Sequence, residues 1–242
     1  MLVLNHVTKQ YGQRDIFNDV SLSIKNGEVV GLVDHEAQAI FELVEMLSGK
    51  EKPDEGYLQV DDRRIIGQFR PQKYGIGIIR REPKLIESLD IASNIYIGHE
   101  PRFKKGFAKW LNLLDPYQII DDATQLLSIL NFPLPPVHTP VSDFSLEQQQ
   151  LVTIAQLIVQ KPQIVVVDHP GRTLSLPYLE QLFEQIHKWR EDGIAVIIGT
   201  AMLSTFTVSA EPAKSAKQAK AVTEFRQAIL TLVKSNVGAL RA

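Results

Sequence analysis

The sequence predicts an α/β protein with a parallel sheet core, an antiparallel β portion and an inserted helical portion. Three continuous apolar segments, residues 28–33, 163–168 and 194–199, are typical of strands that are buried on both faces of a parallel sheet. Between the first two, residues 82–159 change to helical patterns. Buried strands that alternate with helices indicate a parallel sheet, and the long helical run indicates an insertion into it.

The antiparallel portion is predicted by shorter patterns before and after the first buried strand. Residues 2–7 and 20–24 alternate between apolar and polar side chains, as half-buried strands do. Residues 57–66 read as a hairpin whose turn contains two consecutive aspartates. A helix is predicted over residues 40–47, with Gly49 where a helix-ending glycine is expected.

These patterns divide the chain into three parts. We expect a discontinuous sheet core at residues 1–81 and 160–205, and a helical subdomain at residues 82–159. The helices of this subdomain are predicted at residues 91–97, 107–114, 119–130 and 146–159. Residues 206–242 read as a linker followed by a helix with one apolar stripe, which either packs on its own domain or docks a partner.

Composition excludes several classes of function. The 242 residues contain no cysteine, and the six histidines are scattered without an i, i+4 pair, so neither thiol chemistry nor a metal site is expected. A formal net charge of −2 gives no electrostatic reason to expect nucleic acid. The first residues are too short and polar for a signal peptide, and no run approaches the roughly 20 apolar residues of a membrane span.

Three stretches resemble the ATP-binding subunits of ABC transporters. Residues 75–101, GIGIIRREPKLIESLDIASNIYIGHEP, resemble the Q-loop region of the subunits that energise sugar importers. Residues 142–170, SDFSLEQQQLVTIAQLIVQKPQIVVVDHP, resemble their signature helix and Walker B strand, and residues 47–56 resemble the stretch after their P-loop helix. The resemblance spans residues 1–203 in unbroken order and implies a P-loop NTPase-like ABC cassette of the sugar-importer type.

The P-loop positions depart from the family's pattern. The resemblance places Asp34, Ala37 and Ala39 on the P-loop glycines, Ile40 on the phosphate-binding lysine and Phe41 on the magnesium-binding residue. Backbone N–H groups and a lysine normally hold the phosphates, whereas Asp34 would add a like charge. Two like charges about 4 Å apart cost roughly 4 kcal/mol at an effective dielectric constant near 20. We therefore expect no bound ATP or magnesium.

Other nucleotide positions have also changed. The resemblance places Arg81 on the Q-loop glutamine, His169 on the catalytic glutamate and Ala201 on the switch histidine, while Asp168 matches the Walker B aspartate. Tyr11 stands where an aromatic ring stacks on adenine, but it is interpreted as ordinary packing at a strand end. Asp168 is interpreted as capping the next turn, Arg81 as a solvated charge or an ion-pair donor, and His169 as hydrogen-bonded structure.

The signature motif is altered as well. It reads Phe144-Ser145-Leu146-Glu147-Gln148, so Ser145 and Gln148 match the family while a leucine and a glutamate replace two glycines. Glu147 would repel the phosphate that this motif faces in the family. Ser145 is interpreted as the N-cap of the following helix. Tyr11, Ser145, Gln148 and Asp168 are thus the vestigial candidates for nucleotide contact, and no catalytic residue is predicted.

The leading hypothesis is a pseudo-ATPase subunit at the cytoplasmic face of the membrane. Its expected partners are a second ABC ATP-binding subunit, in a homodimer or a heterodimer, and a transmembrane permease that contacts the region between Arg81 and Pro101. One alternative is a functional ATP-binding subunit of a sugar-type ABC importer. Another is a soluble regulatory or binding protein derived from the ABC fold.

Overall fold

The computed structural model describes most of the chain in four segments: residues 1–12, 14–33, 38–170 and 174–200. The chain forms two compact units. One unit joins Met1–Arg81 to the chain from Pro162 onward, and the other is Glu82–Lys161. We call them the sheet unit and the helical unit. The predicted switch position Ala201 and the predicted C-terminal helix in residues 206–242 lie outside the described residues.

The sheet unit contains a parallel and an antiparallel sheet. Its strands are β1 (Leu2–Tyr11), β2 (Arg14–Ile24), β3 (Val29–Val33), β4 (Glu55–Val60), β5 (Arg63–Ile65), β6 (Ile76–Ile79), β7 (Ile164–Asp168) and β8 (Ala195–Thr200). The helices of the whole described chain are α1 (Gln38–Leu47), α2 (Ile91–Tyr96), α3 (Gly106–Trp110), α4 (Pro116–Leu130), α5 (Leu146–Gln160) and α6 (Leu176–Glu191). Among these, no helix is both long enough and apolar enough to cross a bilayer.

The parallel sheet has the strand order β3-β8-β7-β6. All three neighbouring pairs are parallel, and every residue of β7 is buried. Burial on both faces explains why these strands are continuous apolar segments in the sequence. The predictions for residues 28–33, 163–168 and 194–199 are confirmed to within one residue at the strand ends.

The antiparallel sheet has the order β2-β1-β4-β5, and the predicted hairpin at residues 57–66 is confirmed. The predicted limits of β1 and β2 were too short. Both strands continue through polar residues, where Lys9 pairs with Phe17 and Gln10 with Asp15 across irregular register. Backbone hydrogen bonds hold these outer parts without an alternating apolar face, so a hydrophobic pattern does not predict them.

Helix α1 follows β3 and buries an apolar face in the core that the two sheets share. The predicted helix end is confirmed, because Gly49 has a φ of +77° and its N–H donates to the carbonyl of Met46. A Cβ atom at Gly49 would lie 2.2 Å from the carbonyl oxygen of Phe69. Glycine is therefore required at this position for both backbone conformation and space.

The helical unit has a core of its own, built from α2, α4 and α5. Ile91 and Ile95 of α2 pack with Ala123 of α4 and with Val152 and Ala155 of α5. The prediction of a helix over residues 107–114 was wrong in extent. Helix α3 is shorter, and the leucines that follow it are exposed, so they do not form the buried face that their spacing had indicated.

Candidate functional site

The carboxyl ends of the parallel strands bring three of the predicted site residues together. Asp168 is the last residue of β7, His169 follows it, and Arg81 lies two residues beyond the end of β6. Because the carboxyl ends of parallel strands meet at one edge of the sheet, residues far apart in sequence become neighbours there. We call Arg81, Asp168 and His169 the strand-end cluster.

The strand-end cluster is held by short polar contacts. Nε of Arg81 donates to Oδ1 of Asp168 at 3.1 Å. Nδ1 of His169 lies 2.5 Å from the same oxygen, and Nη2 of Arg81 lies 3.1 Å from Nδ1 of His169. The side chain of Asp168 is buried and that of Arg81 is partly exposed. The prediction that Arg81 is an ion-pair donor is confirmed, and Asp168 accepts from side chains in this cluster.

The contacts keep Asp168 ionised. Burial alone would raise the pKa of its carboxyl group, but the hydrogen bond from His169 and the Arg81 guanidinium outweigh burial and place the pKa below its ordinary value. An ionised carboxylate only accepts, so Nδ1 of His169 carries the proton of that hydrogen bond. Since a guanidinium only donates, Nδ1 is then not an acceptor for Arg81.

His169 is buried and hydrogen-bonded. Its backbone N–H donates to the carbonyl of Gly199 in β8 at 3.0 Å, and its φ is +49°. Its Nε2 is buried and has no hydrogen-bond partner among the residues that the structure describes. The side chain is thus oriented by Asp168 through one nitrogen, while the other nitrogen is buried.

Ile40 lies at the same edge of the sheet, in the first turn of α1. Its side chain is only 3% exposed and belongs to the shared core. It packs so closely on the backbone of β8 that a Cβ atom at Gly199 would lie 2.3 Å from Cγ2 of Ile40. Gly199 pairs with Asp168 across the sheet, so the packing of Ile40 and the strand-end cluster share one segment of β8.

The remaining P-loop positions differ from Ile40. Phe41 is 46% exposed and makes no core contribution. Ala39 is partly buried and packs against the shared core. Asp34 and Ala37 lie outside the described residues.

Tyr11 is placed differently from its sequence interpretation. Packing at the end of β1 was expected, but the ring is 45% exposed. Its hydroxyl donates to Oε2 of Glu42 in α1 at 3.2 Å, and Nζ of Lys9 lies 5.2 Å from the ring centroid. Burial and the neighbouring Glu42 raise the pKa of Tyr11, and burial likewise raises the pKa of Glu42.

A second charged network on α1 was not predicted as a unit. Glu45, a buried residue of α1, accepts a hydrogen bond from Lys50 at 2.7 Å. It also forms an ion pair with Arg80, which directly precedes Arg81 of the strand-end cluster. Burial would raise the pKa of Glu45, but Lys50 and Arg80 bring it below its ordinary value. The available sequence signal was the pair of glutamates, Glu42 and Glu45, three residues apart on a largely apolar helix.

Ser145 and Gln148, which the resemblance matches to the signature motif, form a helix cap in the helical unit. Oγ of Ser145 accepts from the backbone N–H of Gln148 at 3.3 Å, and Oε1 of Gln148 accepts from the backbone N–H of Ser145 at 3.1 Å. This reciprocal pair is a capping box at the start of α5. The predicted N-cap role of Ser145 is confirmed, and Gln148 completes it.

Comparison with known proteins gives the family. Residues 17–172, more than half of the chain, match the profile described as "ABC transporter". The chain belongs to the ABC transporter family. Its antiparallel sheet, parallel sheet and helical unit are those of an ABC cassette, as the sequence resemblance implied.

The similar curated proteins are ATP-binding proteins of sugar import. The chain is 28% identical over 199 residues to the ribose import ATP-binding protein RbsA of Caldanaerobacter subterraneus subsp. tengcongensis, covering 81% of this chain and 39% of that protein. It is 30% identical over 200 residues to RbsA 1 of Burkholderia cenocepacia, covering 81% of this chain and 38% of that protein. The chain therefore spans about two-fifths of the length of these relatives.

Solved structures share the fold at lower identity. The protein cbiO1 from Clostridium perfringens, part of the ABC transporter complex cbiONQ, has a TM-score of 0.65 at 20% identity, covering 84% of this chain and 79% of its own. A dimeric ATP-binding cassette bound to ADP and Pi has a TM-score of 0.67 at 21% identity, covering 85% and 90%. At these identities the likeness concerns the fold alone.

Proposed function

We propose that this chain is an ABC cassette of a sugar-type importer that does not hydrolyse ATP at its own site and serves as a structural partner of the transporter. The observation that carries the proposal is Ile40, which is buried against Gly199 where the family resemblance places the phosphate-binding lysine. An apolar side chain has no positive charge to bind the phosphates. Ile40 is also packed too tightly in the core to turn toward a ligand.

The strand-end cluster supports the same proposal, because its contacts disfavour magnesium binding. In the family an aspartate at the position of Asp168 serves the magnesium site. Here the carboxylate already accepts from Arg81 and His169, and the guanidinium of Arg81 places a positive charge beside it. A divalent cation would have to displace that charge or remain close to it, which is unfavourable in a buried site. The described residues do not fit Mg-ATP.

The partner role follows from likeness to the relatives. Proteins named as import ATP-binding proteins match four-fifths of this chain. The proposed partners are a competent ABC ATP-binding subunit and a membrane permease, with the permease contacting the region between Arg81 and Pro101 at the cytoplasmic face. Arg81 would then serve two roles, as the partner of Asp168 and as the first residue of that contact region.

Calorimetric titration of the full chain with Mg-ATP tests the proposal directly. We expect no binding heat and no rise in melting temperature at millimolar Mg-ATP, while a competent ABC cassette measured alongside is stabilised by mass action. The Arg81→Gln variant frees Asp168 of its guanidinium without restoring a lysine at position 40, and it should also fail to bind. Micromolar binding by the wild-type chain would overturn the proposal.

A functional ATP-binding subunit is the second candidate, and a specific observation favours it. All the curated relatives described above carry import ATP-binding names, and the family match itself extends across the region of α1 and β7. Under this alternative His169 is the residue beside the reacting water. Hydrolysis by the purified chain that is lost in His169→Ala, but retained in His187→Ala at an exposed position of α6, would establish it.

A further inference from the structure

A closed loop in the helical unit projects between α2 and α4. The loop, residues 101–115, is tied at its base by a bridge between Arg102 and Leu114. The backbone N–H of Phe103 donates to the carbonyl of Leu113 at 3.1 Å, and that of Asp115 donates to the carbonyl of Pro101 at 2.9 Å. Helix α3 forms its outer part. We call this segment the aromatic-lysine loop.

The loop exposes large apolar side chains that no described residue covers. Phe107 is 72% exposed and Trp110 is 77% exposed, and their rings stack with centroids 5.4 Å apart. Leu111, Leu113 and Leu114 are also exposed, as is Tyr117 at the start of α4. Exposed apolar side chains that are grouped in this way mark an interaction site more often than single exposed residues do.

The same loop is strongly basic. Residues 101–114 contain Arg102, Lys104, Lys105 and Lys109 and no acidic residue, although the whole chain has a formal net charge of −2. All four basic residues are exposed. Glu100, just before the loop, and Asp115, its last residue, accept hydrogen bonds from the backbone N–H groups of Gly98 and Gln118. The loop therefore exposes aromatic rings and basic side chains on the same short segment.

We propose that the aromatic-lysine loop binds an anionic lipid surface. Tryptophan and tyrosine rings favour the membrane–water interface, and lysines beside them are attracted to anionic headgroups. Shallow insertion of the Phe107 and Trp110 rings would bury the apolar patch while Lys104, Lys105 and Lys109 remain at headgroup level. The inference concerns a surface of the helical unit and does not rest on whether the sheet unit hydrolyses ATP.

The positive charge of the loop argues against its being covered by residues 206–242 or by a second copy of the chain. The segment 206–242 is predicted from its sequence to carry an apolar stripe, but it contains six basic and two acidic residues, so it would bring more positive charge to a positive loop. A second copy of the chain that used the same patch would likewise place like charges together. The net positive charge and the interleaved rings instead match an anionic, partly apolar surface.

Vesicle binding of the full chain tests the proposal. The readouts are flotation with phosphatidylcholine vesicles, with or without phosphatidylglycerol, and tryptophan emission. Since Trp189 is buried and Trp110 is exposed, a blue shift on binding reports Trp110. We expect binding and a blue shift only with phosphatidylglycerol, weakened by salt. Replacing Lys104, Lys105 and Lys109 together by glutamine should lower the partition coefficient about a hundredfold, at roughly fivefold per lysine.

Matched variants separate the loop from general charge and hydrophobicity. Replacing Lys25, Lys73 and Lys188 together by glutamine makes the same charge change at exposed positions of the sheet unit and should leave binding unchanged. The double variant Phe107→Ser with Trp110→Ser should lose flotation, whereas Ile66→Ser, at another highly exposed position, should not. Melting temperatures near that of the wild type show that each variant is folded.

Three outcomes would overturn the proposal. They are an absence of binding to phosphatidylglycerol vesicles at low ionic strength, equal binding to both vesicle types, and binding that the loop variants leave unchanged. Loss of co-purification with a permease in the loop variants, with vesicle binding absent in the wild type, would assign the loop to a protein partner instead.

Discussion

The strand-end cluster and the first turn of α5 hold residues at positions that the family resemblance assigns to nucleotide, yet they are organised in different ways. At the strand ends, the resemblance matches only Asp168 to the family's pattern, and Arg81 and His169 are its partners. At the start of α5, the resemblance matches Ser145 and Gln148, and each bonds to the other's backbone. The first region depends on tertiary contacts, and the second is complete within four residues.

This difference separates two reasons why a residue matches its family. A capping box stabilises a helix in any protein, so Ser145 and Gln148 are explained by local structure alone. Asp168 has no such local role, since its partners Arg81 and His169 include a residue from another strand end. A residue that matches the family therefore indicates nucleotide binding only where its structural role does not already explain it. In both regions the structural role is substantial.

The largest effect is expected from Ile40→Ala, which tests whether the strand-end region is a packed core. Removing a buried isoleucine side chain leaves a cavity, so the free energy of unfolding should fall by about 2–5 kcal/mol in denaturant titration. Phe41→Ala, at the neighbouring exposed position, is the matched control and should cost about 0.5 kcal/mol or less. Equal losses in both variants would mean that Ile40 is not packed on β8.

Asp168→Asn should cost less, about 1–3 kcal/mol of unfolding free energy, because it leaves the Arg81 guanidinium without its carboxylate. The pKa of Asp168 is lowered in the folded state, so its contribution is full above the unfolded pKa of about 3.9 and is lost as pH falls through the lower folded pKa. The difference between wild type and variant should thus persist from pH 6 to 8, a range well above about 4, and shrink in acid.

The control for this pH dependence is Asp62→Asn, at an exposed turn position between β4 and β5. Its stability difference from wild type should be small at every pH. A constant difference between wild type and Asp168→Asn down to the acid transition would contradict the assigned ion pair.

At the start of α5, Ser145→Ala should cost about 0.5–2 kcal/mol through loss of the N-cap. Ser145→Thr should recover most of that loss because threonine is also a good N-cap residue. Ser128→Ala, an exposed serine within α4, provides the matched control and should be nearly neutral. A neutral Ser145→Ala variant would show that the capping box contributes nothing measurable.

The smallest effect concerns the coupling between the two capping residues. Gln148→Ala alone should cost less than Ser145→Ala, and the double variant should cost less than the two single losses together. A coupling free energy of about 0.5 kcal/mol is expected for side chains that share one hydrogen-bonded unit. Strict additivity would mean that the two bonds form independently.

Much of the fold was predictable because burial leaves a periodic pattern. Strands β7 and β8 are apolar up to their last residues, Asp168 and Thr200, and α5 begins at a recognisable N-cap. The pattern failed in two places: the outer parts of β1 and β2 bury only Lys9 and Phe17 and pair through backbone groups, and the leucines after α3 are exposed. A hydrophobic pattern indicates which residues are buried. It is absent from the outer parts of β1 and β2, and after α3 it indicates burial of leucines that are exposed.

The sequence by itself determined the types of most elements and the cap at Ser145, because these depend on spacings of a few residues. Tertiary structure decided that Arg81 meets Asp168, 87 residues away in the chain, and that Ile40 packs on Gly199. Parallel strands bring their carboxyl ends to one edge of the sheet whatever their separation in sequence. Only the strand order β3-β8-β7-β6 then sets which side chains become neighbours there.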